Sequence, residues 1–547
     1  MLVPRYDASE IPEMTQKVAE AAFPKGNKAM EIRKTLGVIF TDEDFQAMYP
    51  SIGQPAESPS KLAMVTVLQY MEQLTDREAA EAVRSRIDWK YLLGLELTDA
   101  GFDYSILSEF RQRLIKREKE ALLLEKVITK CTEKGFLKGK AKQRTDSTHV
   151  LAKIRLMNRM EVVGETMRRA LNELAQEAPT WLEPLILPEW GKRYGRKIET
   201  RSLSKTKQQE WIQTIGEDGY YLLDAIYDLA TPVTIKELKS VIILRQVWVQ
   251  QFYRDDNKTI WRDKSHGRPP ASKMIASPDD LEARYAKKGT TKWTGYKVHL
   301  TETCAENSPH LITHVETTIA PMPDLMVTEK IEEALIDKQL SPDTHWCDGA
   351  YIDVETIVNS QQRGIDLVGP VHQDSSWQAR EQSGYDLSYF EIDWTNMTAT
   401  CPEGKVSSYS KKHTNAYDKL DFHFKFHFQT CHSCSVREKC TRSKKSGRTV
   451  TVYPQQWHDV LTKARQRQAT DAFVNLYNKR AGVEGTISQA IRKFGVRDAR
   501  YRGLKKTRLQ HLATAAAINL HRLGAWLFGD QPKTTRITSF ASLASIF

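Results

Sequence analysis

Residues 475–495 read NLYNKRAGVEGTISQAIRKFG, and Glu484 is the only acidic side chain between Asp471 and Asp498. Ten lysines and arginines fall between Lys479 and Arg508. A lone carboxylate there either balances surface charge or holds something the bases cannot. Tyr477, Arg480 and Glu484 are spaced i, i+3, i+7, which puts them on one helix face. An Arg–Glu pair on a solvated helix face contributes only about 0.3–0.5 kcal/mol, and taken alone it accounts for these residues. Gly482 and Gly485 each weaken such a helix by roughly 1 kcal/mol relative to alanine, which implies a close approach there.

Two more acids have a context worth weighing. Asp146 lies in RTDSTHVLA, where β-branched residues predict a short strand. A carboxylate inside a central strand needs a partner, because burying it alone is costly. Asp348 ends THWCD and precedes GAY, at the carboxyl edge of another strand, where open α/β sheets bind ligands. Either aspartate alone is more often a turn former or a hydrogen-bonded structural acid. Three acids from two strands and a late helix can act jointly, as ligands of two Mg²⁺ (or Mn²⁺) ions, which take oxygen donors and bridge to phosphate. Such ions, about 3.5–4 Å apart, activate a water or 3′-hydroxyl and stabilise the leaving oxygen.

Four of the seven cysteines crowd into residues 401–440: Cys401, Cys431, Cys434 and Cys440. One C-x2-C and two single cysteines supply four thiolates, enough for tetrahedral Zn²⁺. His432 competes as a ligand, and reduced cysteines in an irregular core are the plainer alternative. Arg437, Lys439, Arg442, Lys444, Lys445 and Arg448 follow; they suit either a metal-pinned basic arm on DNA or a solvated face. Trp377, Tyr389 and Trp394 lie in the same region, where core packing is the plainer fate of each. Lys297 and His299 lie on a predicted strand that could turn them toward the acids.

The elements that must position these groups are legible in outline. Residues 59–116 read as a self-contained helical unit. Thr75-Asp76-Arg77-Glu78 is a capping box opening REAAEAVRSR, and YSILSEFRQRLIKREKE is a second helix. With Arg111, Arg113, Lys116 and Arg117 exposed, this unit suits a helix-turn-helix type of DNA-binding bundle; a helical packing or dimerisation module is the alternative. Residues 155–260 read as helix, with MEVVGETMRRALNELAQ and IKELKSVIILRQVWVQQF as clear segments. Strands TGYKVHLTET and HLITHVETTIA, helix MVTEKIEEALID, strand THWCD, helix VETIVNSQQRG and strand IDLVGPV then form a mixed α/β sheet. DFHFKFHFQ alternates at period two, as a half-buried strand does, and helices close the chain from about 471 to 528.

The chain has 547 residues, enough for two to four domains, with 40% hydrophobic and 27% charged residues. A net charge of +11 favours a polyanionic partner, nucleic acid foremost. No secretory signal, membrane-length apolar run or internal repeat is legible, so the expectation is a cytoplasmic protein with no membrane partner. A basic enzyme without nucleic acid is the alternative.

Tyr-x2-Arg-x3-Glu at 477–484 resembles the signature helix of the DDE transposases of bacterial insertion sequences, in the group called YREK. RTDSTH, WCDGAY, GYKVHLTET and RYRGLKKTRLQHLATAAAINLHRL resemble that family's DDE domain. LTDREAAEAV, IDWKYLLGLEL and FDYSILSEFRQRL resemble the N-terminal domain that precedes it. The resemblance implies an α/β, RNase H-like catalytic core with helical and β-rich insertions, plus an N-terminal all-α DNA-binding domain. It makes Asp146, Asp348 and Glu484 the ligands of two Mg²⁺ or Mn²⁺ ions, and sets Tyr477 and Arg480 against the DNA backbone. The signature's lysine falls at Ile491, with Arg492 and Lys493 the adjacent bases that can substitute.

The organisation implied is an arm at 1–58, the DNA-binding domain at 59–135 and core segments at 136–154 and 276–371. Between them lie a helical insertion at 155–275 and, beyond the core strands, a β-rich insertion at 372–460. Catalytic helices at 461–530 and a tail at 531–547 finish the chain. The activity implied is cleavage and strand transfer at terminal inverted repeats on double-stranded DNA. The partners are transposon ends, target DNA and a second copy in a synaptic dimer, associated with the bacterial nucleoid. A silent domesticated regulator and an RNase H-like nuclease without strand transfer are the alternatives.

Overall fold

The structure, a computed structural model, describes residues 1–2, 9–201, 203–256, 258–381, 383–415, 418–530 and 539–544. Of the tail, 531–538 and 545–547 thus lie outside the described residues. Ser58 caps α1 (Pro59–Glu72), which is buried on nearly every face. The capping box is made: the Glu78 amide donates to Thr75 Oγ1 (3.2 Å) and the Thr75 amide to Glu78 (2.7 Å), opening α2 (Asp76–Ser85). α3 (Ser105–Lys116) and α4 (Leu122–Glu133) follow.

These helices are not the self-contained unit their sequence suggests. Their apolar residues join one core with the central sheet and the long helix Leu504–Leu527. The stretch ATAAAINL explains this: Ala513, Ala515, Ala516 and Ala517 are buried, and side chains that small let helices approach closely. Polar contacts cross the same boundary. Tyr70 donates to the Tyr501 hydroxyl (3.1 Å), Gln73 to the Phe494 carbonyl (2.7 Å) and Arg500 to the Leu74 carbonyl (2.8 Å). Arg111, expected on the surface, is 5% exposed. It donates to Asp76 (2.5 Å) and Gln69 (3.3 Å) and lies over the Tyr501 ring. Arg113 is half-buried over Tyr49, whereas Lys116 and Arg117 are exposed.

The central sheet has six strands: β1 (Gln143–Leu151), β2 (Arg284–Lys288), β3 (Thr291–Thr303), β4 (Ile312–Ile319), β5 (Thr344–Trp346) and β6 (Asp366–Val368). β3 pairs antiparallel with β1, β2 and β4, while β5 and β6 continue parallel beyond β1. The main order is therefore β4-β3-β1-β5-β6. Side chains alternate across a strand, so the pairs Arg144↔Glu302 and Asp146↔Leu300 share one face, and Thr145↔Thr301 and Ser147↔His299 share the other. Helices cover both faces. On the Thr145 face, His345 meets Glu332 and Tyr351 meets His299, beneath helices Thr328–Asp337 and Val354–Gln362. On the Asp146 face, Thr486 meets Glu302 and His511 meets Thr317, from helices Gly482–Arg492 and Leu504–Leu527.

Two further cores lie outside this body. α5 (Arg159–Glu177), α6 (Lys205–Tyr227) and α7 (Lys239–Gln251) enclose one of them around Val163, Met167, Leu222 and Trp248. The helix read through to 260 ends at Gln251, and a hairpin of Phe252–Asp255 and Lys258–Trp261 completes this core. Phe390, Phe422, Phe424, Val450 and Val452 form the other, within 385–452. The closing helices begin earlier than read, at Gln455.

Arg111→Ala removes a buried guanidinium and strands Asp76. It is expected to lower unfolding free energy in urea by at least about 2 kcal/mol and to leave the salt dependence of DNA binding unchanged. A change in that salt slope would restore Arg111 to the DNA-contact set.

Candidate functional site

The three acids of the sequence reading meet at one guanidinium. Arg144 is level with Trp346 in the parallel pairing of β1 and β5, so Asp146 and Asp348 come level two residues further on. Asp348 caps the turn Gly349–Tyr351, and the Ser147 amide donates to Asp146 at 2.7 Å. Arg480 reaches Asp146 at 3.0 Å, Asp348 at 3.9 Å and Glu484 at 3.3 Å. The side chain of Asp146 is 16% exposed and that of Glu484 67%. Arg480 Nε is buried without a partner, so this guanidinium is incompletely satisfied where it stands. Burial pushes the Asp146 carboxyl above the ordinary aspartate range; Arg480 and the Ser147 amide pull against that, and Asp348 adds to it.

The helix that carries the signature is not continuous. Asp471–Tyr477 is α-helical, Asn478–Ala481 is a 3-10 turn, and Gly482–Arg492 resumes as α-helix. Phe473 packs with Trp346 and Val368 in a small apolar cluster that Tyr477 also touches, seating the first piece on the ends of β5 and β6. Tyr477 stacks on Phe473 (5.8 Å between centroids, 7° between planes), and Arg480 lies over the Tyr477 ring.

The second piece is fixed by groups the sequence reading missed. Glu302 is fully buried and accepts from Arg144 Nε (2.7 Å), Arg522 Nη1 (2.7 Å) and the Thr486 hydroxyl (2.5 Å). Arg144 also donates to the Lys479 carbonyl (2.8 Å), and Arg522 to Thr486 (2.7 Å) and the His310 carbonyl (2.6 Å). β1, β3, the 3-10 turn and both late helices are thus tied within two residues of Asp146 and Glu484. The available signal was a charge inside the apolar strand GYKVHLTET. Gly482 has its reason here: a Cβ at that position would stand 2.0 Å from Arg144 Nη1. Gly485 faces open space.

Lys297 and His299 do not face the acids. Register parity puts them on the opposite side of the sheet, where Lys297 pairs with Asp324 and His299 Nδ1 lies 2.7 Å from the Tyr351 hydroxyl. Burial drives the His299 imidazole down to about 4. Ile491 packs against the main core. Of its basic neighbours, Arg492 is exposed and Lys493 contacts His521.

All seven cysteines are free. Cys401, Cys431, Cys434 and Cys440 line one cavity of about 30 Å³, although among the described residues no three of their sulfurs lie within 4.8 Å of one another. The Arg448 amide donates to Cys431 Sγ (3.4 Å), and burial pushes the Cys440 thiol up to about 11. Lys444 and Lys445 are exposed, while Arg437 is half-buried and bonded to the Ser443 carbonyl. Trp394 packs edge-on against Phe422 and Phe424. Trp377 lies under Arg442, and Tyr389 is 53% exposed.

Residues 400–524 match the family described as "Transposase DDE domain", and residues 17–113 match "Transposase domain (DUF772)". The chain thus carries a transposase DDE domain in its C-terminal part and a transposase domain in its N-terminal part. Glu484 lies inside the first match, and Asp146 and Asp348 precede it. No curated protein matches the chain. A solved structure, that of a piggyBac transposase synaptic complex with hairpin DNA, is similar at 10% identity over 93% of this chain and 77% of that one, with a TM-score of 0.29.

Glu302→Gln withdraws the charge that two buried arginines share. It is expected to cost about 3–5 kcal/mol in urea unfolding, and an effect below about 1 kcal/mol would mean that the pairs are dispensable. Because the Asp146 carboxyl sits above its ordinary value, it holds its proton to a higher pH than a free aspartate. In a carbon-13 NMR titration the Asp146 carboxyl is therefore expected to titrate with a midpoint above ~3.9. A midpoint at or below that value would contradict the buried setting of Asp146.

Proposed function

We propose that the chain is an active transposase. It binds the inverted terminal repeats of its element on double-stranded DNA, cleaves at the ends and joins the 3′-hydroxyls to target DNA. The observation that carries this reading is the convergence of Asp146, Asp348 and Glu484, far apart in sequence, on the single guanidinium of Arg480. A strand order of three antiparallel strands followed by two parallel ones, with Asp146 on the central strand, supports an RNase H-like core.

The donor set fits Mg²⁺ or Mn²⁺: three carboxylates, all oxygen, answered by a cation whose own Nε has no partner. Two such ions would supply activation of the attacking oxygen and stabilisation of the leaving one. Asp146, within β1, and Asp348, just past the end of β5, provide the rigid side of the site. Glu484 provides the adjustable side from an exposed first helical turn. Arg480 neutralises the acids in the absence of cations, and its planar fork then suits a phosphate oxygen at the cleaved end, with Tyr477 beside it.

The exposed Lys444, Lys445 and Arg492, together with Lys493 and the half-buried Arg437 and Arg113, extend a basic surface for the DNA backbone. The four cysteines around one cavity support a structural Zn²⁺ whose binding draws the thiols together. The enzyme works as a homodimer in a synaptic complex, at the bacterial nucleoid. Among the described residues no helix is long and apolar enough to cross a membrane.

On DNA carrying the element's ends, Asp146→Asn, Asp348→Asn and Glu484→Gln are each expected to abolish metal-dependent cleavage and retain DNA binding. Normal cleavage by Glu484→Gln would remove that residue from the site. Metal analysis of the purified chain is expected to find about one Zn²⁺ per chain held by thiolates; none above background would rule out the cysteine site.

A further inference from the structure

A second cluster of metal-ligating side chains lies apart from both the acids and the cysteines. Strand Tyr409–Thr414 pairs antiparallel with Leu420–Lys425, which pairs in turn with Thr449–Val452. Phe422 and Phe424 point into the apolar core of this insertion. Alternation therefore sends Asp421 and His423 to the other face. His413 is the direct cross-strand partner of Asp421 and joins them there.

His413 Nδ1 lies 3.0 Å from Asp421 Oδ1, and His423 Nε2 lies 3.2 Å from the same oxygen. The two imidazoles are stacked, with centroids 4.4 Å apart and planes 23° apart. Among the described residues, this is the one group of three His, Cys, Asp or Glu whose ligand atoms all lie within 4.8 Å of one another.

We propose that His413, Asp421 and His423 form a binding site for a single first-row transition-metal ion of the Zn²⁺ class. Ligands about 2.0–2.1 Å from a tetrahedral ion stand roughly 3.3 Å from each other, and these spacings approach that edge without rearrangement. Two imidazoles and one carboxylate select Zn²⁺, Co²⁺ or Ni²⁺ over Mg²⁺, which prefers oxygen alone. Without an ion, each neutral imidazole can donate one N–H to the Asp421 carboxylate. A shift of each proton to the other ring nitrogen frees the same atoms for a metal. As neutral lone-pair donors, the same atoms form one side of a coordination shell and leave the remaining positions to water. Lys411, level with His423 in the register, is exposed and free to turn to solvent.

The ion would lock the strand pair whose Lys419 holds Asp353 (3.1 Å) and Glu355 (2.7 Å) at the start of helix Val354–Gln362. That helix begins six residues after Asp348, which caps the turn Gly349–Tyr351. The site is thus a clasp between the β-rich insertion and the sheet.

The test is a Co²⁺ titration of the full chain after chelator treatment, read by visible absorption. The wild type is expected to show, beside any thiolate charge-transfer band from the cysteines, a Co²⁺ component free of it. His413→Ala/His423→Ala, on an exposed face, is expected to lose that component, whereas Cys434→Ser keeps it. Asp421→Asn is expected to weaken it by at least about tenfold, and Zn²⁺ is expected to raise Tm further in the wild type than in the double-histidine variant. An unchanged spectrum in the double variant, a component lost with Cys434→Ser instead, or no thiolate-free component in the wild type would each overturn the site.

Discussion

Glu302 is sealed between two arginines, and a carboxylate taken fully out of water has to be answered on both oxygens. Arg144 answers one; Arg522 and Thr486 answer the other. Those partners come from the central strand, the longest late helix and the helix whose first turn carries Glu484, so satisfying one buried charge fixes three elements at once. Removing either arginine would strip one carboxylate oxygen of its guanidinium, and removing Glu302 would leave both guanidiniums unanswered, so each member depends on the others. Asp146 is two residues from Arg144, and Glu484 is two residues from Thr486. The distance between those acids is inherited from the network beneath them.

Around that anchor, rigidity is graded. Asp146 is held in the middle of a fully paired strand and is mostly buried. Asp348 caps a short turn at the neighbouring strand end, and Glu484 stands largely in solvent on the first turn of its helix. The 3-10 turn at Asn478–Ala481 is the geometric reason Arg480 can reach all three, because it redirects the chain between a helix seated on Trp346 and a helix seated on Glu302. The basic residues nearby remain outside and available, while the charges that hold the fold are inside and paired.

Much of this was legible in the sequence, for physical reasons. Asp146 and Asp348 sit where β-branched or apolar runs meet polar residues, and a strand ended by Asp-Gly leaves few other readings. Tyr477, Arg480 and Glu484 met as expected even though the helix that should align them is broken, since a 3-10 turn preserves roughly the same reach over three residues. What stayed hidden depended on pairing. The inward turn of Arg111, the face taken by Lys297 and His299, and the meeting of His413 with Asp421 and His423 all follow from register or from a neighbour hundreds of residues away. A cationic side chain on an amphipathic helix reads as exposed until its partner, here Asp76, is known. Small residues in ATAAAINL looked like an ordinary helix, yet they are what lets the N-terminal helices merge with the sheet.

Iron-directed cleavage of the polypeptide tests the central claim most directly. With Fe²⁺ in place of Mg²⁺, ascorbate and peroxide, the backbone is cut beside residues that hold the ion. Cuts suppressed by excess Mg²⁺ are expected next to Asp146, next to Asp348 and within the 482–485 turn, and the last of these is expected to fade in Glu302→Gln. Mg²⁺-sensitive cuts that spare 482–485 in the wild type, or that are unchanged when Glu302 is neutralised, would contradict the claim that this buried network delivers the third acid.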